Sequence, residues 1–147
     1  MLQASLHIQV ADFHSPLQRA SIALRHQVLR EPLGLTFSPE ELEAENSQVH
    51  VVARYEDQLV GVLLLVPLND NVWKMRQVAT LPSLQGQGIG TQLVAFAEKW
   101  LKEQQAEKVE LHARMTAVPF YLKMNYQTDE NTFLEVGLPH WKMWKQF

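Results

Sequence analysis

The chain has 147 residues, 46% hydrophobic and 20% charged, with 13 Lys and Arg against 16 Asp and Glu. That length can bury a core without staples, the composition argues against disorder, and the net charge of −3 argues against broad binding to nucleic-acid phosphates. With no cysteine, disulfides, thiolate nucleophiles and cysteine-held zinc or iron–sulfur sites are excluded.

The opening MLQASLHIQVADF lacks the basic start and apolar block of a signal peptide. The longest apolar run, Leu59 to Pro67, is far short of the ~20 residues that span a bilayer. One soluble, cytoplasmic domain over residues 1–147 is expected, without a membrane partner. Leu6, Ile8 and Val10 alternate with polar neighbours and predict a strand. Asp12 or Ser15 caps the next helix, with Pro16 just inside it, and its apolar positions run from Leu17 to Leu29 before Glu31-Pro32-Leu33-Gly34 stops it. Ser38-Pro39-Glu40-Glu41 is a capping box that opens a short acidic helix over about Pro39 to Glu45.

Val49 to Tyr55 and Leu59 to Pro67 read as a hairpin around Glu56-Asp57-Gln58, and a third strand covers Val72 to Ala79. Leu81-Pro82-Ser83 breaks the pattern. A glycine cluster then leads into the most regular helix, with Ile89, Leu93, Ala97, Trp100 and Leu101 on one stripe. Lys108 to Ala113 is a strand, Val118 to Met124 a short helix ended by Asn125 in a left-handed conformation, and Thr132 to Phe147 two strands around Gly137-Leu138-Pro139. The alternation predicts an α/β (α+β) fold without repeats or linkers.

Gly86, Gly88 and Gly90 stand between a predicted strand and a predicted helix. A helix start leaves backbone N–H groups without intrahelical partners and carries partial positive charge, and glycines let an anion approach them. Phosphate is the expected ligand; a capped helix start with no ligand is the plain alternative. Gly90 is followed by Thr91-Gln92 rather than Lys-Ser/Thr, so the loop is not that of a nucleoside triphosphatase, and the spacing fails the dinucleotide fingerprint. Neither the lysine nor the magnesium ligands of a kinase can be placed.

Gln85-x-x-Gly88-x-Gly90, following Met75-Arg76-Gln77-Val78-Ala79-Thr80, resembles the pyrophosphate motif of the GNAT superfamily of N-acetyltransferases. Leu111-His112-Ala113-Arg114 and Ala117-Val118-Pro119-Phe120-Tyr121-Leu122-Lys123-Met124-Asn125-Tyr126 are similar to a second segment of that family, with Asn125 where the family usually has Gly. The resemblance implies a mixed, mostly antiparallel central sheet flanked by helices, and acetyl-CoA as cosubstrate. The backbone of Val78 and Thr80, with Ala79 between them, is implied to pair with the pantetheine arm. Amides of Gln85, Gly86, Gln87, Gly88, Ile89 and Gly90, with Thr91 at the helix start, are implied to hold the pyrophosphate. Because Gln87 stands where the family often has a cation, phosphate binding leans on amides and the helix dipole.

Acetyl transfer to an amine needs a base, an oxyanion donor and a proton for the departing thiolate. The resemblance gives Tyr121 the last role and the Val78 amide the second; the plain alternative for Tyr121 is a packed phenol bonded to backbone. His112 is a candidate base, and His140 a candidate on the acceptor side, the plain alternative for each being a satisfied structural histidine. The six histidines show no close ligand pair, so no metal is expected. Glu40, Glu41, Glu43 and Glu45 either attract an amine or complement a helix dipole. Arg25, Arg30, Arg76 and Arg114 either clamp a substrate carboxylate or form surface ion pairs. Trp141, Met143 and Trp144 are expected to pack the sheet, with the lining of an aromatic acceptor pocket as the alternative. The implied activity is direct acetyl transfer to a primary amine of a small molecule or peptide, with a homodimer left open. A non-catalytic acyl-CoA sensor on the same fold is the alternative.

Overall fold

The computed structural model describes residues 5–147. Met1–Ala4, the start of the stretch read for a signal peptide, lie outside the described residues. Seven strands, β1 (Leu6–Ala11), β2 (Val49–Tyr55), β3 (Gln58–Asn69), β4 (Val72–Thr80), β5 (Lys108–Arg114), β6 (Gln127–Glu135) and β7 (Leu138–Gln146), join in one sheet of order β1-β2-β3-β4-β5-β7-β6. Every pairing is antiparallel except β4 with β5. The expected mixed, mostly antiparallel sheet flanked by helices is present. Among the described residues no helix is long and apolar enough to cross a membrane.

Helices cover both faces of the sheet. Leu24 of α1 (Pro16–Arg25) packs with Val52, Val62 and Ala79. Val51, Ala53, Leu63 and Leu65 face the other way, onto Ile89, Leu93, Val94, Ala97 and Leu101 of α3 (Ile89–Glu103). Strands buried on both faces lose their polar alternation. That is why Val62-Leu63-Leu64-Leu65 reads as an unbroken apolar run and is fully buried. A Cβ on Gly61 would lie 3.4 Å from side-chain atoms of both Ile89 and Leu93, so glycine there lets α3 sit close to β3. Each such leucine contributes about 1.5–3 kcal/mol relative to exposure.

Local signals set most boundaries. Ser15, not Asp12, caps α1, accepting from the Gln18 amide at 3.3 Å. Both bonds of the Ser38–Glu41 capping box are present at the start of α2 (Pro39–Glu43). Asn125 adopts φ 69°, as expected, and Tyr126 N–H bonds back to the Tyr121 carbonyl after α4 (Val118–Lys123). Asp70 and Asn71 both have positive φ in the turn between β3 and β4, the twist that suits a two-residue hairpin.

Three boundaries differ from the sequence reading. The helix expected to run to Leu29 changes at His26 into a π-helical turn to Arg30 and then a 3-10 turn, Glu31–Leu33, ending at Gly34 with φ 69°. Pro32 has no amide to continue a helical ladder, and the wide turn presents the Leu29 carbonyl to Arg114 at 3.1 Å. The acidic helix stops at Glu43 and tightens into a 3-10 turn, Ala44–Ser47, that turns Glu45 inward. β6 begins at Gln127 rather than Thr132, and the last hairpin turns at Val136 and Gly137. Along β6 the alternation is weak because it is an edge strand with mostly exposed side chains.

Candidate active site

The parallel pair at the centre of the sheet is short. β4 and β5 are in register only from Val72 to Lys74 against Lys108 to Glu110, and beyond that they part. Just past the split β4 carries a bulge, where Gln77 and Val78 stand opposite the single residue Leu63 and Gln77 has φ 57°. A bulge leaves its extra residue out of the ladder, freeing backbone polar groups for other partners.

Two cavities meet at the split. A groove of about 760 Å³ is lined by Val78, Ala79, Thr80, Gln85, Gly86, Gly88, Ile89, Gly90 and Thr91 from the β4–α3 connection and by Phe120 and Lys123 of α4. A smaller cavity of about 330 Å³ is lined by Met75, Arg76 and Gln77 of β4, His112 and Arg114 of β5, and Glu135 and His140 of the last hairpin. Val78, Thr116, Ala117 and Tyr121 line both. Of the residues assigned to the coenzyme from sequence, Gln87 alone is absent from the groove wall.

The glycine loop is open. Gly88 is the N-cap of α3 with φ 83° and no side-chain cap, and the first bond into the helix is Gln92 N–H to the Gly88 carbonyl. Among the described residues, none of the amides from Gly86 to Thr91 makes a close, well-aligned hydrogen bond to a backbone acceptor. A Cβ at Gly86 or Gly88 would meet nothing within 4 Å, but both glycines have positive φ that other residues adopt at a cost. A row of open amides at a helix start suits an anion. Lys123, the cation on this groove, went unnoticed in the sequence because it lies far from the loop in the chain.

Tyr121 is 6% exposed, and none of the side-chain hydrogen bonds among the described residues uses its hydroxyl. Burial pushes its pKa well above the ordinary phenol value, so it keeps its proton. The backbone partner of the plain alternative is not found. Phe120 and Tyr126 pack edge-on against its ring, at centroid distances of 5.0 and 5.4 Å.

His112 Nδ1 lies 2.9 Å from Glu135 Oε1. Burial alone would raise the Glu135 pKa; the hydrogen bond from His112, with the charges of His112, His140 and Lys74, holds it below the usual carboxylate range. An ionised carboxylate only accepts, so Nδ1 carries a hydrogen, and in the neutral form of the ring the lone pair falls on Nε2. His140, 3% exposed, donates from Nδ1 to the Leu138 carbonyl and places Nε2 3.7 Å from Glu135 Oε2. Sequence reasoning missed Glu135, which is 23 residues from His112 in the chain. The signal available was its place beside the hairpin turn that returns the chain to β5.

Glu40 and Glu41 stand in the first turn of α2, as the helix-dipole reading expected, and Arg30 pairs with Glu41 at the surface; Glu45 and Arg25 depart from both readings. Arg25 is fully buried and donates to both oxygens of Glu45, at 2.9 and 2.8 Å, so its ion pair is an interior one. Arg76 adds bonds to Glu45 and Gln48, and the His50 ring meets the Glu45 carbonyl at 3.0 Å. Glu40, Glu41 and Glu43 line neither cavity. Met143 is fully buried, while Trp141 and Trp144 are half-buried and hydrogen-bonded to β6, as sheet packing requires.

The family profile described as "Acetyltransferase (GNAT) domain" matches residues 26–147, and the chain belongs to that family. A Bacillus subtilis (strain 168) protein named "Putative acetyltransferase BSU40680" is 31% identical over 97 residues, 66% of this chain and 65% of that protein. The match therefore spans a little under two thirds of that relative. The crystal structure of a "putative N-acetyltransferase from Lactobacillus plantarum" superposes with a TM-score of 0.85 at 29% identity, covering 97% of this chain and 98% of the other. A GNAT family acetyltransferase from Elizabethkingia anophelis, crystallised with acetyl-CoA bound, shares the fold at a TM-score of 0.74 and 16% identity over 97% and 99% of the two chains.

Proposed function

We propose that this chain transfers the acetyl group of acetyl-CoA to a primary amine held in the smaller cavity. The observation that carries this reading is the wall shared by the two cavities, where Val78 and Tyr121 face both. The acetyl-CoA bound to the Elizabethkingia family member supports the choice of cosubstrate.

Acetyl-CoA supplies the acetyl group on a thioester. The amides from Gly86 to Thr91 and the positive end of α3 hold its diphosphate, with Lys123 adding charge on the facing helix. The backbone of Val78, Ala79 and Thr80 orients the pantetheine arm along the split beside β4. His112 accepts a proton from the amine at Nε2, while Glu135 fixes the ring's tautomer and offsets the charge it gains. The Val78 amide at the bulge donates to the carbonyl oxygen as negative charge gathers there. Tyr121 gives its phenolic proton to the coenzyme sulfur as the C–S bond breaks and the C–N bond forms. Without a cysteine no thiolate carries the acetyl group, no motif supports a Ser or Thr acyl-enzyme, and the transfer is read as direct.

A sensor of acyl-CoA would need the glycine loop alone. The unengaged Tyr121 hydroxyl and the aligned Glu135–His112 pair favour catalysis. The test is acetyl-CoA turnover with a panel of amines, the products identified by mass spectrometry. N-acetylated product from wild type is expected; coenzyme binding with no transfer to any amine would restore the sensor reading.

A further inference from the structure

Arg30, Lys74, Arg76 and Arg114 line the smaller cavity, against the single carboxylate of Glu135. Such an excess of cations is unexpected in a chain whose net charge is −3. Glu135 is committed to His112, Arg76 is spent on Glu45 and Gln48, and Arg30 lies 3.4 Å from Glu41. Arg114 and Lys74 are different. Among the described residues neither has a carboxylate within 4.0 Å.

Arg114 donates from one nitrogen to the Leu29 carbonyl and leaves the rest of its planar fork for another partner. Burial, and after it the nearby Arg30 charge, pull its pKa below the ordinary arginine value, which Glu135 only partly offsets. Like charges on one cavity wall repel each other, and an oxyanion bound at Arg114 would relieve the repulsion. The cavity, about 330 Å³, is near the lower end of small-molecule pockets at roughly 300–1,000 Å³. That size favours a small acceptor over a folded protein surface.

We infer that the acceptor is a small amine carrying an anionic oxygen group, a carboxylate or a phosphate, which docks on Arg114 and leaves its amino end towards His112. This rests on the transferase reading above. Lys74 adds to the field that draws the anion in. Diamines of net positive charge are repelled by the same field.

The experiment compares four amines on similar short carbon chains as acceptors: β-alanine, 2-aminoethyl phosphate, ethanolamine and 1,3-diaminopropane. One of the two anionic amines should exceed ethanolamine at least tenfold in kcat/KM, and 1,3-diaminopropane should be the poorest. Which anionic amine leads identifies the oxyanion. In Arg114→Gln the ratio of anionic to neutral acceptor should collapse towards one, and Arg114→Lys should restore part of it. Lys74→Gln should lower the ratio less and serves if Arg114→Gln does not fold. Preference for ethanolamine or the diamine, or a ratio unmoved by these changes, overturns the inference.

A second readout needs no turnover. Inorganic phosphate and succinate are titrated by calorimetry into the chain saturated with CoA. At least one should bind, and its affinity should fall about tenfold in Arg114→Gln or, failing that, in Lys74→Gln. Failure of both anions to bind, or equal binding by wild type and variant, overturns the anion site even if amines are acetylated. Anion binding without transfer to any amine keeps the anion site and sinks the transferase reading.

Discussion

Tyr121 and His112 divide the proposed proton traffic between two environments. The phenol is buried, neutral and, among the described residues, without a protein partner for its hydroxyl, so replacing it by Phe removes a proton and little packing. Tyr121→Phe should lower kcat by about 10²-fold, within the usual range for a general acid, with acetyl-CoA affinity unchanged by calorimetry. Glu135→Gln should lower kcat about tenfold, because a neutral amide can still accept from Nδ1 but cannot offset the charge on the ring. Equal kcat in wild type and either variant would remove that residue from the mechanism. The motif block made Tyr121 legible in the sequence. Glu135 was not legible, because its partnership with His112 is created by the β5–β7–β6 pairing rather than by chain spacing.

Elements turn local signals into a site. The turn into α3 has both the glycines and the unpartnered amides, and Gly88→Glu tests them together. Its positive φ costs a non-glycine residue about 1–2 kcal/mol, and the new carboxylate would enter the space proposed for phosphate. Coenzyme binding should be lost in a titration while far-ultraviolet circular dichroism stays native. The buried Arg25–Glu45–Arg76 cluster ties α1 to the 3-10 turn before β2 and to β4. Glu45→Gln breaks a buried pair and should cost about 3–5 kcal/mol in denaturant unfolding. Sequence spacing showed acids near a helix start and could not show that one of them turns inward, because that depends on the 3-10 turn after Glu43.

The same cluster sets an acid limit on stability. Burial lowers the His50 pKa below 6.5 despite its bond to the Glu45 carbonyl, so protons favour the unfolded chain as pH falls below about that value. Burial would raise the Glu45 pKa, but Arg25 and then Arg76 bring it below 4.5, so the stability it contributes is lost as pH falls below that point. Thermal midpoints should be level above neutrality, decline below pH 6.5 and fall more steeply below 4.5. A midpoint that rises on acidification would contradict these assignments.

At the scale of the whole molecule, the element order follows from patterns visible in the chain, whereas the sheet's central split is seen only once β4 and β5 are paired. Alternating strands, the capping box, the glycine loop and the apolar stripe of α3 each carried a local physical signal. The bulge at Gln77 and the contents of the smaller cavity did not, because residues from β4, β5 and the last hairpin meet there only after the sheet forms. The sheet also links the two cavities, so coenzyme binding should stabilise the fold as a unit. At 100 times its dissociation constant acetyl-CoA adds about 2.7 kcal/mol by mass action. ATP with magnesium should add nothing.

The central claim is that the open amides of Gly86 to Thr91 grip a diphosphate and thereby bring the thioester to Tyr121. A crystal structure of the chain with acetyl-CoA tests it most directly. The account predicts diphosphate oxygens about 3 Å from those amides and the coenzyme sulfur within hydrogen-bond reach of the Tyr121 hydroxyl. Diphosphate bound elsewhere, or a sulfur on the far side of the groove from Tyr121, would contradict it.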